Sequence, residues 1–351
     1  MGLFVGDFNV VALNFRVTTL LAIESSCDET AVAIVRGNRG ESLEILASEI
    51  SSQIPLHREF GGVVPELASR NHSLNLRPLV ELTLASAGIR MDEIDAFAAT
   101  SGPGLASSLL IGNTAAKGMA SAASRPYLGI NHLEGHLLSP FVAESSIPPH
   151  LSLIVSGGHT LLIDVKGPGQ YRKVGSTRDD AAGEAFDKVG KMLGLAYPGG
   201  PEIEKIASFG KADAFDFPRS MIHERHHDFS FSGLKTAVLY TLQKLEKPLP
   251  VADLAASFQA AVVEILVRKT LRAADDLGRR TIAISGGVSL NQPLRRAFEV
   301  ACRKTNHSVW FAPQALCTDN AAMIGFAALL RYHAGLFSSL DEDIHPNLPL
   351  V

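Results

Sequence analysis

Short apolar runs closed by glycine, serine or asparagine alternate with longer amphipathic stretches along most of the chain. Leu20 to Ile23 and Ala31 to Val35 are continuous apolar runs, and they predict two buried strands joined by the polar turn Glu24 to Thr30. Ile45 to Ser51 predicts a third strand. Pro65 suits the first turn of a helix, and Pro78 to Ala87 reads as a second helix. Ile94 to Thr100 predicts a strand, Ser101 to Gly104 a tight loop, and Leu105 to Ala123 a helix of small residues that packs closely on a sheet. An apolar run ending in Ile130 predicts another buried strand, with a helix opening at Asn131.

The opening pattern then returns. After Ile147-Pro148-Pro149-His150, a proline-containing linker, Leu151 to Val155 and Leu161 to Val165 predict two strands around the polar turn Ser156 to Thr160. Two lobes that each present such a hairpin would clamp a nucleotide between them. The expected division is an N-terminal extension over residues 1–17, an N-terminal lobe over 18–148 and a C-terminal lobe over 149–351. Later elements are a helix over Asp179–Leu193, an exposed turn Tyr197–Pro201, a helix opening within Asp228–Thr236, and a long amphipathic helix over Ala252–Ala273. Thr281 to Ser285 predicts a strand, and Gly286-Gly287 leads from it into a helix at Gln292. A last helix runs from Ala321 to His333 and is expected to pack back on the N-terminal lobe.

Hydrophobic residues make up 46% of the chain and charged ones 19%, ample material for large cores. A net charge of -4 does not announce a nucleic-acid binder, so any such contact must use a local cluster of bases. The candidates are Lys188, Lys191, Lys235, Arg295 and Arg296. Cys27, Cys302 and Cys317 form a sparse set without metal spacing, which fits a reducing compartment. No run reaches membrane-spanning length and no signal peptide is expected, so the expected location is the cytoplasm without membrane contact.

The strongest local chemistry is Asn131-His132-Leu133-Glu134-Gly135-His136. Asn131 is a good N-cap, with Glu134 three residues on as in a capping box. His132 and His136 then share one helical face, where two neutral imidazoles can grip one metal ion. Two ligand-free surface histidines would show the same spacing. The Glu of H-E-x-x-H is missing from its place, which disfavours a metallopeptidase. Asp319 reads either as a first-turn carboxylate or as a third metal ligand.

Together the runs IESSCDET, GGVVPELASRNH, TSGPGL, NHLEGH, VSGGHT, DDAAGEAFDKVGKMLG with YPGGP, FSFSGLKT, ISGGVSLN and CTDNAAM resemble the tRNA threonylcarbamoyladenosine-forming transferases, once described as O-sialoglycoprotein endopeptidases. The resemblance spans Leu20 to about Gly335 and is nearest to the bacterial type. It implies an α/β fold of the duplicated two-lobe actin/sugar-kinase/Hsp70 type, with nucleotide and metal between the lobes. It implies His132, His136 and Asp319 as catalytic metal ligands, with one divalent ion, Fe²⁺ favoured over Zn²⁺. It implies Ile154, Val155, Ser156, Gly157 and Gly158 as the phosphate and substrate hairpin, and Asp187, Gly200, Glu204 and Asn291 as nucleotide contacts. The implied reaction moves threonylcarbamoyl from threonylcarbamoyl-AMP to N6 of adenosine 37 in tRNAs reading codons that begin with A. The implied partners are tRNA, a homologous smaller subunit and a small ATPase. The rival readings are a nucleotide-binding ATPase or kinase of the same fold, and a non-catalytic scaffold.

Overall fold

The computed structural model describes residues 17–351, so the expected N-terminal extension lies, but for Val17, outside the described residues. The first half builds β1 (Thr18–Glu24), β2 (Glu29–Gly37), β3 (Glu44–Ser52), the short α1 (Ile54–His57), α2 (Pro65–Ala87), β4 (Ala96–Gly102), α3 (Ala106–Ala123), β5 (Tyr127–Asn131) and α4 (His132–Leu138). The second half builds β6 (His150–Val155), β7 (Thr160–Gly167), β8 (Gln170–Ser176), α5 (Ala182–Met192), α6 (Gly199–Ala207), α7 (Ser232–Lys244), α8 (Val251–Asp276), β9 (Thr281–Ser285), α9 (Gln292–Thr305), β10 (Ser308–Phe311) and α10 (Ala321–His333).

The two sheets have one topology. The first runs β3-β2-β1-β4-β5 and the second β8-β7-β6-β9-β10. In each, the three leading strands form an antiparallel meander, and two parallel strands are added beside the first of them. This is a duplicated α/β fold. The central strands β1, β4 and β6 are buried along their whole length, because helices cover both faces. The edge strand β3 instead alternates between exposed and sheltered positions.

Helices α4 and α10 lie in the core between the sheets. Leu133, Leu137, Met323, Ile324 and Phe326 join Leu20, Ala33 and Val35 from the first sheet to Ile154, Ile163 and Val165 from the second. Every residue of α10 from Ala321 to Leu329 is apolar or glycine and buried, as a helical stretch covered on all sides must be. Gly325 brings it close, since a Cβ there would stand 2.9 Å from Val35 Cγ2.

The structure corrects several sequence expectations. One helix, α2, spans what read as two, and Pro78 sits inside it. The carbonyl that Pro78 leaves without an amide partner belongs to exposed Leu74, while Leu76, Leu79, Val80 and Thr83 are buried and hold the helix together. Tyr197–Pro201 is not an exposed turn. Gly199 is buried and opens α6, and a Cβ on it would meet Phe186 O at 2.6 Å. Helix α5 starts at Ala182 rather than Asp179, because Asp179 caps the start of α7 by accepting the N–H groups of Phe231 and Ser232. Edge strands β8 and β10 had no sequence signal strong enough to predict them.

Candidate metal centre and interlobe cleft

The parallel strands β1, β4 and β5 end side by side, and their last residues build the centre. Asn131 caps α4, its side-chain oxygen accepting the Leu133 N–H at 2.9 Å. The reciprocal half of a capping box does not form. Glu134 is buried and turns away to accept Tyr171 Oη at 2.9 Å and Arg331 Nη2 at 2.7 Å. His132 and His136 stand edge to face, with ring centroids 4.8 Å apart. Asp319 enters from the loop before α10, a helix fixed by Asn320, whose side chain accepts the Met323 N–H.

Asp319 Oδ1 lies 3.1 Å from His136 Nε2 and 3.5 Å from His132 Nε2. Atoms sharing an ion at about 2.0–2.2 Å are themselves about 3–3.5 Å apart. The three donor atoms lie within 4.8 Å of one another, so the group can hold a metal ion. The far side of His132 is supported too. Its Nδ1 is 3.0 Å from Glu24 Oε2 and 3.2 Å from Ser26 Oγ. Glu24 is fully buried and accepts Thr100 Oγ1 at 2.6 Å and the Ser26 N–H at 2.5 Å. A carboxylate on Nδ1 fixes the tautomer that leaves Nε2 free to bind a metal. Sequence reading gave Glu24 no role. Its one signal was a carboxylate closing an otherwise apolar strand.

Burial opposes a charge on His132, but Asp319 and Glu24 outweigh it and raise the imidazole pKa to about 9. Burial likewise opposes ionisation of Asp319, and His132 and His136 overcome it, holding the carboxyl well below its ordinary range. Without an ion the centre is therefore an imidazolium–carboxylate cluster. Nearby His159 is pushed down to about 4 by burial and by the two histidines, so it is neutral at physiological pH. Glu29 is pushed up to about 10 by burial and by Asp319 and Asp28.

An interlobe cleft of about 550 Å³ opens over this centre. His132, Asp319, Ser156, Gly157, Gly158 and Asp187 line it. In the turn after β6, Ser156 N–H bonds to His159 O, while the N–H groups of Gly157 and Gly158 have no partner among the described residues. A Cβ on either glycine would meet nothing within 4 Å. Two free amides at an open turn suit an anion. Ile154 and Val155 lie buried in β6 beneath this turn, and His136 is buried beneath the cleft floor. Asp187 Oδ1 accepts the Gly199 N–H at 2.7 Å and so holds the start of α6, where Gly200 stands. Asn291 caps α9 and donates to Glu204 Oε2 at 3.1 Å and Gln259 Oε1 at 2.8 Å. Glu204 and Asn291 thus form a pair that does not line the cleft.

Three of the bases nominated for RNA are occupied within the protein. Lys188 and Lys235 both close on Asp180, at 2.9 and 2.6 Å. Arg295 donates to Ser289 O at 2.7 Å and stacks on Phe311 with its guanidinium 4.7 Å from the ring centre. Lys191 and Arg296 are exposed and have no ion pair among the described residues.

Solved structures share the fold. The HypF crystal structure from T. kodakarensis matches with a TM-score of 0.59 at 14% identity, over 91% of this chain and 48% of that one. Component A of (R)-2-hydroxyglutaryl-CoA dehydratase from Acidaminococcus fermentans matches with a TM-score of 0.52 at 16% identity, over 91% of this chain and 98% of that one. Closer in sequence are proteins named tRNA N6-adenosine threonylcarbamoyltransferase. The one from Microcystis aeruginosa is 51% identical over 95% of this chain and 97% of its own length. The one from Moorella thermoacetica is 50% identical over 95% and 97%. The profile of the family described as TsaD, tRNA N6-adenosine threonylcarbamoyltransferase, matches residues 44–326. With this match and these relatives, the chain belongs to the tRNA N6-adenosine threonylcarbamoyltransferase family.

Proposed function

We propose that the chain transfers a threonylcarbamoyl group from threonylcarbamoyl-AMP to N6 of adenosine 37 in tRNAs reading codons that begin with A. The observation that carries this reading is the placement of two imidazoles and a carboxylate beside an open glycine turn in one cleft. The transferase name of relatives that match nearly the whole chain supports it.

His132, His136 and Asp319 would hold one divalent ion. Two imidazoles and a carboxylate suit Fe²⁺ or Zn²⁺, and we favour Fe²⁺. When bound, such an ion supplies Lewis-acid charge to a carbonyl or phosphoryl oxygen. The remaining chemistry falls to the chain. Glu24 orients His132 through Nδ1. The free amides of Gly157 and Gly158 would bind the phosphate of the departing AMP. Asp187 and Gly200 would stand against the nucleoside at the start of α6. Asn291 would support that wall through Glu204 on α6, and is itself held by Gln259. The rival kinase reading leaves the buried histidine pair without a task.

The reading includes tRNA, a homologous smaller subunit and a small ATPase as partners. An exposed apolar face supports a subunit contact. Leu110, 46% exposed, lines a groove of about 750 Å³ between α2 and α3 together with Leu76, Val80, Leu84 and Ile111. No helix among the described residues is long and apolar enough to cross a membrane, and the proposed location is the cytoplasm. The test is mass spectrometry of tRNA nucleosides after loss of the gene, with the purified chain and its partners added back. An unchanged level of threonylcarbamoyladenosine refutes the reading.

A further inference from the structure

Beside the cleft lies a second compartment, of about 300 Å³, sharing Gly61, Asp187 and Tyr197 with it. One wall is the turn after α1, with Arg58, Glu59 and Phe60. The other is the end of α5, with Lys191. The walls meet at Gly61, in a left-handed conformation (φ 68°), where a Cβ would stand 3.3 Å from Lys191 Nζ. The compartment therefore bridges the lobes at the edge of the candidate transfer site.

Its chemistry differs from that of the cleft. Phe60 is 61% exposed and makes no ring contact with any described residue. Arg58 and Lys191 are exposed and have no ion pair among the described residues, unlike Lys188 and Lys235. Of the two carboxylates here, Asp187 is held against the Gly199 amide at the border with the cleft, while Glu59 stands on the same turn as Arg58. A bare aromatic ring in one compartment with two exposed cations is the arrangement that holds single-stranded nucleic acid, the ring taking a base and the cations a phosphate.

We propose that this compartment holds the nucleotide next to the modified adenosine in the tRNA anticodon loop, its base on Phe60 and its phosphate between Arg58 and Lys191. The inference rests on the transfer reaction proposed above. An adenine whose N6 reaches the cleft must leave its stack, and its neighbour then loses a stacking partner. Phe60 replaces that partner in a compartment that adjoins the cleft through Gly61, Asp187 and Tyr197.

The test is a binding cycle with the full chain and its partner subunits. The probes are the anticodon stem-loop of a tRNA reading codons that begin with A, and the same RNA abasic on one or the other side of adenosine 37. Phe60→Ala is expected to weaken binding of the intact RNA about tenfold. One abasic RNA is expected to lose as much on the wild-type chain and little further on Phe60→Ala. Arg58→Ala and Lys191→Ala are each expected to flatten the log–log salt dependence by about 0.7 for the phosphate contact they share, and together by no more than that. Glu59→Gln is expected to bind more tightly. Threonylcarbamoyl-AMP affinity and metal content stay unchanged in all four. Additive losses, unaltered affinities, absent RNA binding, or loss of subunit binding in place of RNA binding each overturn the proposal. Coupled losses in a wild-type chain that makes no threonylcarbamoyladenosine keep the compartment and refute the reaction instead.

Discussion

Glu24→Gln is the sharpest test of how the metal centre is built. The change keeps the side chain's size inside a fully buried site but removes the charge 3.0 Å from His132 Nδ1. The rise of the His132 pKa from 6.5 to about 9 corresponds to about 3 kcal/mol favouring the protonated ring, the balance of Asp319 on Nε2 and Glu24 on Nδ1 against burial. An amide can present its NH₂ to Nδ1 as easily as its oxygen, which would move the ring proton to Nε2 and block the metal-binding atom. Loss of such a support costs about 10- to 100-fold in metal affinity, or about 1.4–2.7 kcal/mol. The assay is competition for Fe²⁺ or Zn²⁺ against a chromogenic chelator at fixed pH, with circular dichroism to verify the fold. The pH series adds a sign. Below about 9 the ion must displace a proton from His132, so wild-type affinity rises with pH by up to about tenfold per unit and levels off near 9. In Glu24→Gln the levelling falls to lower pH. Metal affinity within twofold of wild type, with the same levelling point, would refute the role given to Glu24.

Other expectations follow from the same geometry. His136→Ala should lose the metal while the fold persists, and metal at wild-type stoichiometry would sink the triad. Gly158→Val would project a branched side chain into the open turn, so it should abolish threonylcarbamoyl-AMP binding in calorimetry with little change in melting temperature. Gly183→Ala should lower stability as well as binding. Its Cβ would stand 2.5 Å from Ser156 O, backbone against backbone, so denaturation should show a loss of about 1–3 kcal/mol together with weaker nucleotide binding. In the metal-free chain the raised His132 pKa contributes stability in full below about 6.5 and loses it as pH rises towards 9, so thermal melts should fall across that window and metal should reverse the trend.

The parts of the site legible in the sequence were those whose geometry is local. The histidine pair could be read because four residues make one turn of helix, and the capping Asn131 could be read because a cap reaches only two residues on. Asp319 was ambiguous by itself, since it meets His136 across 183 residues of chain. Glu24 was hidden for the same reason. It meets Thr100 and His132 only because β1, β4 and β5 are parallel neighbours ending at one level. The repeated strand–turn–strand pattern pointed to two like lobes, and the fold class was implied by the family resemblance. The errors came where tertiary packing overrode local rules, as when buried Leu76, Leu79 and Val80 carried a helix through Pro78, and when Asp187 turned YPGGP into a helix start.

The seat of Asp319 has a consequence for biosynthesis. The loop that carries it precedes the last helix, and that helix lies beneath strands laid down at the beginning of the chain. A ribosome extruding this protein releases both histidines long before their carboxylate partner. Until then β1 and β2 lack their cover and the two histidines lack Asp319, so no chain that stops short of Asp319 can assemble the candidate centre. Assembly of the candidate centre is thereby deferred until synthesis has passed Asp319 and the helix that follows it.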